Sequence, residues 1–302
     1  MTMNIEKWLK ENTASLVRKT VAVTGSTGGI GRELSRYLAR LGASLILLDR
    51  NPARSENFRR ELLREADDIE VKCITLDLED ILSVKKATEC LLQETVDIFI
   101  HNAGAYNIPR RRCATGFDNV FQINFASPYY IIKRLLPSLR DSSGGVVVVG
   151  SIAHNYSKTD PEDIDFHTRQ RASRVYGNAK RYLMFSLYEL FKDEDKVSLA
   201  VTHPGISFTN ITAHYPKLIF AIIKHPMKVL FMRPKKACLS VLRGVFEPCG
   251  YHEWIGPRLF DVWGLPKKKR LKTCTVEESR YIGTAAEAVY RLEANENQEV
   301  LI

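Results

Sequence analysis

The sequence predicts an α/β fold, with a single doubly wound domain in which helices flank a mostly parallel sheet. Two observations support this prediction. Short runs rich in β-branched residues alternate with longer segments of helical periodicity, which is the pattern of successive βαβ units. In addition, no internal repeat or low-complexity linker divides the 302 residues, so one domain is expected over residues 1–302.

Six strands are predicted where the apolar runs are short. They are Thr20 to Thr24, Ser44 to Leu48, Val71 to Leu76, Asp97 to His101, Gly145 to Gly150 and Val197 to Thr202. Helices are predicted in the intervals between the strands. They are Gly29 to Leu41, Ala53 to Ala66, Leu82 to Leu92, Phe117 to Leu139 and Ser173 to Leu190. Because a helix separates each strand from the next, the strands are expected to run parallel.

Both ends of the chain are predicted to add to these units. Residues 1–18 are predicted as an N-terminal helical extension, since four apolar residues recur there at roughly helical spacing. These residues are Ile5, Trp8, Leu9 and Leu16. Residues 205–233 interrupt the alternation and are predicted as a substrate lid. Residues 234–302 are predicted as a substrate-side region with two helices, Lys235 to Phe246 and Val276 to Leu292.

The composition argues against nucleic acid and against a membrane span. The net charge is +9, but the densest basic run, 266–272, is short enough to be solvated surface, and no nucleic-acid-binding module accompanies it. The most apolar stretch, Leu218 to Ile223, falls far short of the ~20 residues of a spanning helix. Peripheral membrane contact through Lys217 to Lys228 and Lys267 to Lys272 is left open, although a lid packed on its own domain is favoured.

The cysteines and the first residues of the chain indicate a reducing compartment. Six cysteines are scattered without a C-x-x-C pair or metal-ligand spacing, so reduced thiols and no metal site are expected. The first residues carry acids among their bases and have no continuous apolar segment, unlike a secretory signal. A cytoplasmic location is therefore expected.

A glycine-rich loop joins the first strand to the helix that follows it. Its sequence, Thr24-Gly-Ser-Thr-Gly-Gly-Ile-Gly31, permits a tight turn and a close approach of the backbone to a pyrophosphate. The amides and the positive end of the next helix stabilise negative charge there. The loop therefore predicts a dinucleotide site. Its expected contacts are Gly25, Ser26, Thr27, Gly29, Ile30 and Gly31.

Two neighbouring residues after the second strand give opposite indications about the cofactor. Asp49 lies where an acid accepts hydrogen bonds from the ribose hydroxyls of NAD, and its charge would repel the extra phosphate of NADP. Arg50 can pair with that phosphate. NAD is favoured because of Asp49, and NADP is not excluded because of Arg50.

A tyrosine and a lysine lie four residues apart in the helix after the fifth strand. This spacing places Tyr176 and Lys180 on one helix face. A nearby ammonium favours tyrosinate, so Lys180 is expected to lower the pKa of Tyr176 toward the range where proton transfer is efficient. Ser151 ends the fifth strand at the carboxyl edge, where open α/β sheets bind ligands, and its hydroxyl can stabilise charge on a substrate oxygen.

In this order the motifs resemble those of short-chain dehydrogenases and reductases, in their compact rather than their extended branch. Thr24 to Gly31 resembles the family's TGxxxGxG, and Tyr176 with Lys180 its YxxxK. His101-Asn-Ala-Gly104 is similar to NNAG, with His101 in place of the first Asn. His203-Pro-Gly-Ile-Ser-Phe-Thr209 looks like PGxxxT.

The resemblance implies a Rossmann-like fold and a nicotinamide-dependent oxidoreductase. In it, Ser151 orients the substrate, Tyr176 donates or accepts the proton, Lys180 holds the nicotinamide ribose, and Asn124 anchors a water in the proton relay. Asp77 resembles the family's adenine-side acid. The further cofactor contacts that it implies are Leu78, Asn102, Ala103, Gly104, Tyr176, Lys180, Pro204, Gly205 and Thr209. A homodimer or homotetramer is expected from the family alone.

The substrate is expected to be a bulky hydrophobic secondary alcohol or ketone. Apolar residues in and beyond the expected lid favour this class. They are Ile211, Tyr215, Leu218, Ile219, Phe220, Ile222 and Trp254. The core resembles hydroxysteroid and retinol dehydrogenases, so a steroid-like substrate is expected.

Two other functions are left open. One is a sugar-nucleotide epimerase or dehydratase, although its extended relatives space the loop glycines differently. The other is a nicotinamide-sensing binding protein without turnover. Such a sensor has no need for the complete set of Ser151, Tyr176 and Lys180.

Overall fold

A sheet of eight strands runs through the protein in the computed structural model, which describes residues 5–66, 68–205 and 232–294. The strands are β1 Thr20–Thr24, β2 Ser44–Asp49, β3 Val71–Thr75, β4 Ile98–His101, β5 Gly145–Val149, β6 Ser198–Thr202, β7 Glu253–Leu259 and β8 Trp263–Arg270. Their order is β3-β2-β1-β4-β5-β6-β7-β8, and only β8 runs antiparallel to its neighbour. The order reverses between β1 and β4, so the predicted doubly wound α/β fold is confirmed.

Helices cover both faces of this sheet. They are α1 Ile5–Asn12, α2 Gly29–Arg40, α3 Pro52–Glu65, α4 Ile81–Leu92, α5 Asn119–Phe121, α6 Ser127–Asp141, α7 Ala172–Leu190, α8 Pro234–Phe246 and α9 Val276–Ala294. The apolar faces of α4, α6, α7 and α9 form one core, and those of α1, α2, α3 and α8 form the other. Because both faces are covered, the central strands are apolar along nearly their whole length, as in β5, where every residue is buried.

The six predicted strands begin and end within one residue of the predicted limits. In the N-terminal extension, α1 ends at Asn12, so Leu16 lies outside the helix. The Leu16 amide donates a hydrogen bond to the Leu41 carbonyl at 2.7 Å. Trp8 and Leu16 are both buried in the second core. The extension is therefore part of the domain rather than a separate arm.

The predicted helix from Phe117 to Leu139 is interrupted. The structure has the short α5, a π-helical turn at Gln122–Ala126, and then α6. The Asp118 side chain caps α5 by accepting from the Val120 amide at 3.0 Å. Single π-helical turns concentrate at functional sites, and this one contains Asn124.

The hairpin of β7 and β8 was not predicted. Both helices expected in residues 234–302 are present, but the segment between them forms these two strands. The second strand lies at the edge of the sheet and contains Pro266 and four consecutive basic residues, Lys267 to Arg270. An edge strand with so few buried side chains lacks the apolar alternation by which strands are found in sequence, and edge lysines are typical of protected sheet edges.

Candidate active site

The glycine-rich loop turns sharply between β1 and α2. Gly25 has a φ of +67°, a conformation that side chains rarely adopt. A Cβ on Gly31 would overlap the Gly25 carbonyl oxygen and lie 2.7 Å from Asn102 Nδ2, so the helix can approach the loop only without a side chain there. Gly28, the residue before α2, supplies no side-chain cap. The first amides of α2 are therefore donors that a bound anion can use.

A second loop, after β4, is tied to the glycine-rich loop through Thr24. The Thr24 hydroxyl oxygen accepts hydrogen bonds from the amides of Asn102 and Ala103, both at 3.1 Å. Asn102 Nδ2 donates to the carbonyl oxygens of Thr24 and Gly25, also at 3.1 Å. These four bonds hold the two predicted cofactor loops side by side. The role of Thr24 was not predicted, although the residue begins the motif.

The same threonine defines the protonation state of His101. Since Thr24 Oγ1 already accepts two amide protons, its own proton goes to His101 Nδ1, 3.1 Å away. His101 Nδ1 is therefore the acceptor and the ring is neutral. Burial, and secondarily the charge of Lys180, hold the pKa of His101 well below its ordinary value, in agreement with this assignment.

A cavity of about 690 Å³ lies along these two loops. Twelve of the predicted cofactor contacts line it: Gly25, Thr27, Gly29, Ile30, Gly31, Asp49, Arg50, Asp77, Leu78, Asn102, Ala103 and Gly104. Ser26 lies behind the wall and is buried. Tyr106, Ile108 and Ile123 complete the lining on another side. The uncapped helix start, a basic side chain and apolar walls suit the phosphates and rings of a dinucleotide.

Asp49 does not present a free carboxylate to this cavity. One carboxylate oxygen accepts from the Thr27 amide at 3.0 Å and the Thr27 hydroxyl at 2.9 Å. The other accepts from the Ser26 hydroxyl and from the Ser55 hydroxyl, the latter at 3.3 Å. A carboxylate has about four lone-pair sites, and all are occupied by the protein itself. Asp49 braces the glycine-rich loop, and the expected acceptor role toward a ribose is not visible in these contacts.

Ser151, Tyr176 and Lys180 meet beyond the carboxyl end of β5. The Ser151 side chain lies close enough to the Tyr176 phenol to lower its pKa. It also caps the 3-10 helix Ile152–Tyr156 by accepting from the Ala153 amide at 3.2 Å. Lys180 is 1% exposed, and its Nζ donates to the Val149 carbonyl at 2.8 Å. The Nζ atom lies 5.8 Å from the centre of the Tyr176 ring. The structure thus brings together the three side chains that the spacing indicated.

Burial dominates the electrostatics of this cluster. It raises the pKa of Tyr176 to about 12, although the Ser151 side chain acts in the opposite direction. It also lowers the pKa of Lys180 to about 7. Desolvation is the largest influence on both groups, and Lys180 is not among the causes of the pKa shift of Tyr176. The expectation that Lys180 lowers the pKa of Tyr176 stays a prediction.

Asn124 lies next to Lys180 across Gly104. Its Oδ1 accepts from the Ala105 amide at 3.2 Å, and its Nδ2 donates to the carbonyls of Ala105 and Val120, both at 2.8 Å. A Cβ on Gly104 would lie 2.8 Å from Asn124 Oδ1 and 3.5 Å from Lys180 Nζ. Glycine at position 104 therefore leaves room for both side chains beside the loop.

Two aromatic residues of the site were missed by the sequence prediction. Tyr106 packs edge-on against Tyr176, with ring centres 5.3 Å apart, and its only sequence signal is its place just after Gly104. His154 Nδ1 donates to the Ser151 carbonyl at 2.6 Å, so its Nε2 accepts from the Thr273 hydroxyl at 2.8 Å. His154 therefore positions the backbone of Ser151.

The predicted substrate side is only partly described. Thr209, together with Ile211, Tyr215, Leu218, Ile219, Phe220 and Ile222 of the expected lid, lies outside the described residues. Pro204 and Gly205 are buried, and a Cβ on Gly205 would lie 2.7 Å from the Val262 carbonyl oxygen, beside the β7–β8 hairpin. Trp254 is not a lid residue: it lies in β7, is 3% exposed, and stacks on His203.

Residues 19–159 match the family model of the short chain dehydrogenases. Over this stretch, which is just under half of its length, the chain is similar to the short-chain dehydrogenases. An uncharacterized oxidoreductase of Schizosaccharomyces pombe is 28% identical over 262 residues, which cover 82% of this chain and 77% of that protein. Retinol dehydrogenase 14 of Mus musculus is 31% identical over 211 residues, which cover 65% of this chain but only 63% of that protein.

Solved structures share this fold. A protein of Mycobacterium paratuberculosis superposes with a TM-score of 0.72 over 94% of this chain and 96% of its own, at 24% identity. A short-chain dehydrogenase from Sphingobium yanoikuyae in complex with NADPH superposes with a TM-score of 0.58 over 75% of this chain and 84% of its own, at 20% identity. At these identities the likeness concerns the fold alone.

The four catalytic residues implied by the family resemblance lie close together in the structure: Asn124, Ser151, Tyr176 and Lys180. Their catalytic roles stay a prediction. Within residues 5–66, 68–205 and 232–294, no group of acids, histidines and cysteines could hold a metal ion. No helix in the same ranges is both long and apolar enough to cross a membrane.

Proposed function

We propose that the protein is an NAD(P)-dependent oxidoreductase that interconverts a hydrophobic secondary alcohol and the corresponding ketone, with steroid-like molecules as the substrate class. One observation carries the proposal. The phenol of Tyr176 lies near the Ser151 side chain, which lowers its pKa, and beside the buried Lys180, close to a cavity lined by a glycine-rich loop. Neither a pure binding site nor a structural cluster requires this combination.

The side chains divide the chemistry among them. A nicotinamide cofactor, when bound, supplies or accepts the hydride. In the reducing direction the Tyr176 hydroxyl donates its proton to the carbonyl oxygen, and in the oxidising direction the phenolate takes that proton from the alcohol. The Ser151 hydroxyl stabilises negative charge on the substrate oxygen and on Tyr176. Lys180 is placed to hold the nicotinamide ribose and to support the phenolate.

The described part of the substrate side supports an apolar substrate. Phe166 and Val175 form a small apolar cluster with Val120, and Ile108 and Tyr176 pack against it. The three cluster residues are already buried, so the surface of this apolar wall that a bulky ring system can cover is that of Ile108, which is partly exposed and lines the cavity. Covering apolar surface is favourable, at roughly 25 cal/mol per Å². The steroid-like class rests on this wall and on the apolar composition of the expected lid.

The cofactor preference proposed from the structure is NADP(H). The sequence favoured NAD because of Asp49, but all four acceptor sites of that carboxylate are occupied by Ser26, Thr27 and Ser55. Arg50 is exposed and lines the cavity, so its guanidinium is available to a ribose phosphate. The Asp49 carboxylate still opposes a phosphate next to Arg50. The binding measurement described below separates the attraction by Arg50 from the repulsion by Asp49.

Two further expectations accompany this function. A cytoplasmic location is supported by six free thiols. A homodimer or homotetramer stays a prediction from the family.

The reaction is tested by following reduced-nicotinamide absorbance with a panel of hydrophobic ketones and alcohols that includes steroids. Tyr176→Phe should lower the turnover number by about 10²-fold or more, with cofactor affinity unchanged, because it removes only the proton donor. Tyr156→Phe, which alters an exposed tyrosine, is the matched control. Tight cofactor binding with no turnover on any substrate would favour the sensor, and turnover of a sugar nucleotide would favour the epimerase.

The cofactor preference is tested by titrating NADPH and NADH against the quenching of tryptophan fluorescence. Arg50→Ala should weaken NADPH binding by about tenfold and leave NADH binding nearly unchanged, because only NADPH has the extra phosphate. Arg60→Ala changes an exposed arginine of α3 that does not line the cavity and serves as the control. Equal losses for both cofactors, or tighter NADH binding by the wild type, would contradict the proposed preference.

A further inference from the structure

The β7–β8 hairpin places its turn at the edge of the sheet where the candidate active site lies. The segment that follows β6 rests against this turn: His203 Nε2 lies 3.0 Å from the Asp261 carbonyl oxygen, and Gly205 leaves no room for a Cβ beside the Val262 carbonyl. Because β6 and β7 are parallel, the end of β7 and the carboxyl ends of the other parallel strands face the same way. The turn therefore lies at the same edge of the sheet as the substrate side.

The turn exposes large apolar side chains. Phe260 is 85% exposed and Leu259 is 54% exposed, and in β8 Trp263 and Leu265 are 38% and 41% exposed. The alternation of side chains in a strand puts Trp263, Leu265 and Lys267 on the same face. Contiguous exposed apolar side chains of this size mark contact surfaces in proteins.

The backbone conformation of the turn makes the exposure of Phe260 more unusual. The Val262 amide donates to the Leu259 carbonyl at 3.0 Å, and the two central residues, Phe260 and Asp261, have φ values of +51° and +57°. Turns with two positive φ angles prefer Asn and Gly, because a larger side chain pays a steric cost there. Phe260 is thus conformationally unfavourable and gains little from packing in the protein.

Basic residues lie along the hairpin that carries this apolar tip. Residues 258–272 contain six basic residues and one acid, Asp261. Lys269 is paired with Asp261 at 2.8 Å, and Lys268 with Glu247 at 3.1 Å. The other four are exposed: Arg258, Lys267, Arg270 and Lys272. Edge protection explains lysines in β8, but it does not explain an aromatic tip beside them.

We propose that the β7–β8 hairpin docks on an anionic lipid bilayer, with Leu259, Phe260 and Trp263 entering the headgroup boundary. Aromatic and aliphatic side chains beside lysines and arginines are the composition that binds such interfaces. The exposed basic residues bind the lipid phosphates, and each contributes roughly fivefold in affinity at a charged surface. A protein partner with a matching apolar patch would not need this excess of positive charge along the hairpin.

This docking does not depend on catalysis, so its test is separate from that of the proposed function. The full chain, without cofactor or substrate, is sedimented with vesicles of phosphatidylcholine alone and with vesicles in which one third of the lipid is phosphatidylserine. Wild type should bind the anionic vesicles, release at high salt, and bind neutral vesicles far less. Phe260→Asp should weaken binding by about tenfold or more, because it replaces the inserted ring with a charge that the lipid repels.

Leu82→Asp is the matched control, since Leu82 is 73% exposed on α4, away from the hairpin. A second variant, Lys267→Glu with Lys272→Glu, should weaken binding to anionic vesicles and leave thermal stability unchanged. Failure of wild type to bind anionic vesicles, or equal binding by wild type and Phe260→Asp, would overturn the proposal. A change of oligomeric state in Phe260→Asp, measured by light scattering, would assign the tip to a protein contact instead and would also overturn it.

Discussion

A buried glutamate in the last helix provides a direct test of the energetics. Glu293 of α9 is 2% exposed, and one of its carboxylate oxygens accepts from Gln122 Nε2 in the π-helical turn that contains Asn124. Within the described part of the chain, its other oxygen has no hydrogen-bond partner. Burial raises the pKa of Glu293 to about 7, while the Gln122 hydrogen bond and the charge of Lys85 act in the opposite direction.

The size of the effect follows from this pKa. The ordinary value is 4.5, and a change to about 7 corresponds to about 3 kcal/mol at 1.36 kcal/mol per pKa unit. Because the folded-state pKa of Glu293 is raised, the folded protein binds the Glu293 proton more tightly than the unfolded chain does. The resulting contribution to the free energy of unfolding is fully present below pH 4.5. It is lost as the pH rises through about 7. Glu293→Gln keeps the shape and the acceptor for Gln122 but cannot ionise, so it does not lose this stability.

The free energy of unfolding of both proteins is measured by urea titration with tryptophan fluorescence at several values from pH 4.5 to pH 8.5. The difference between Glu293→Gln and wild type should grow by about 3 kcal/mol in favour of the variant across this interval. Glu89→Gln, at an exposed position of α4, should show no such trend. A difference that stays constant with pH would refute the reasoning, because it would mean that Glu293 is ionised throughout or accessible to water.

Two other substitutions test the loops that build the site. Gly31→Ala should lower stability by about 1–3 kcal/mol and abolish cofactor binding, because the added Cβ would overlap the Gly25 backbone. Calorimetry measures the stability, and cofactor titration measures the binding. Gly28→Ala is the control and should keep wild-type stability, because its added Cβ would lie 3.4 Å from the nearest atom. Arg110→Ala should cost about 3 kcal/mol and raise the KM, because Arg110 pairs with the fully buried Asp118 and donates to the Phe166 carbonyl of the apolar wall. Unchanged thermal unfolding and KM in Arg110→Ala would contradict this role, and Arg112→Ala, at a more exposed arginine, is the comparison.

The parallel core of the fold could be predicted because its signals are local. Strands such as β5 are buried on both faces and therefore read as continuous apolar runs between helices. The hairpin could not be predicted in the same way, because β8 pairs on one side only and its side chains are mostly exposed or basic. The π-helical turn at Gln122–Ala126 was also missed, since it is a local change of helical hydrogen bonding without a change of apolar spacing.

The sequence by itself determined which side chains form the site. The four-residue spacing of Tyr176 and Lys180 on one helix, and the position of Ser151 after β5, are local relations that survive in the structure. Only the tertiary structure decided how these groups behave. Burial of Lys180 and Tyr176, the four donors around Asp49, and the exposure of Phe260 depend on segments far apart in the chain. Desolvation and hydrogen-bond saturation are properties of an assembled environment, which no local spacing encodes.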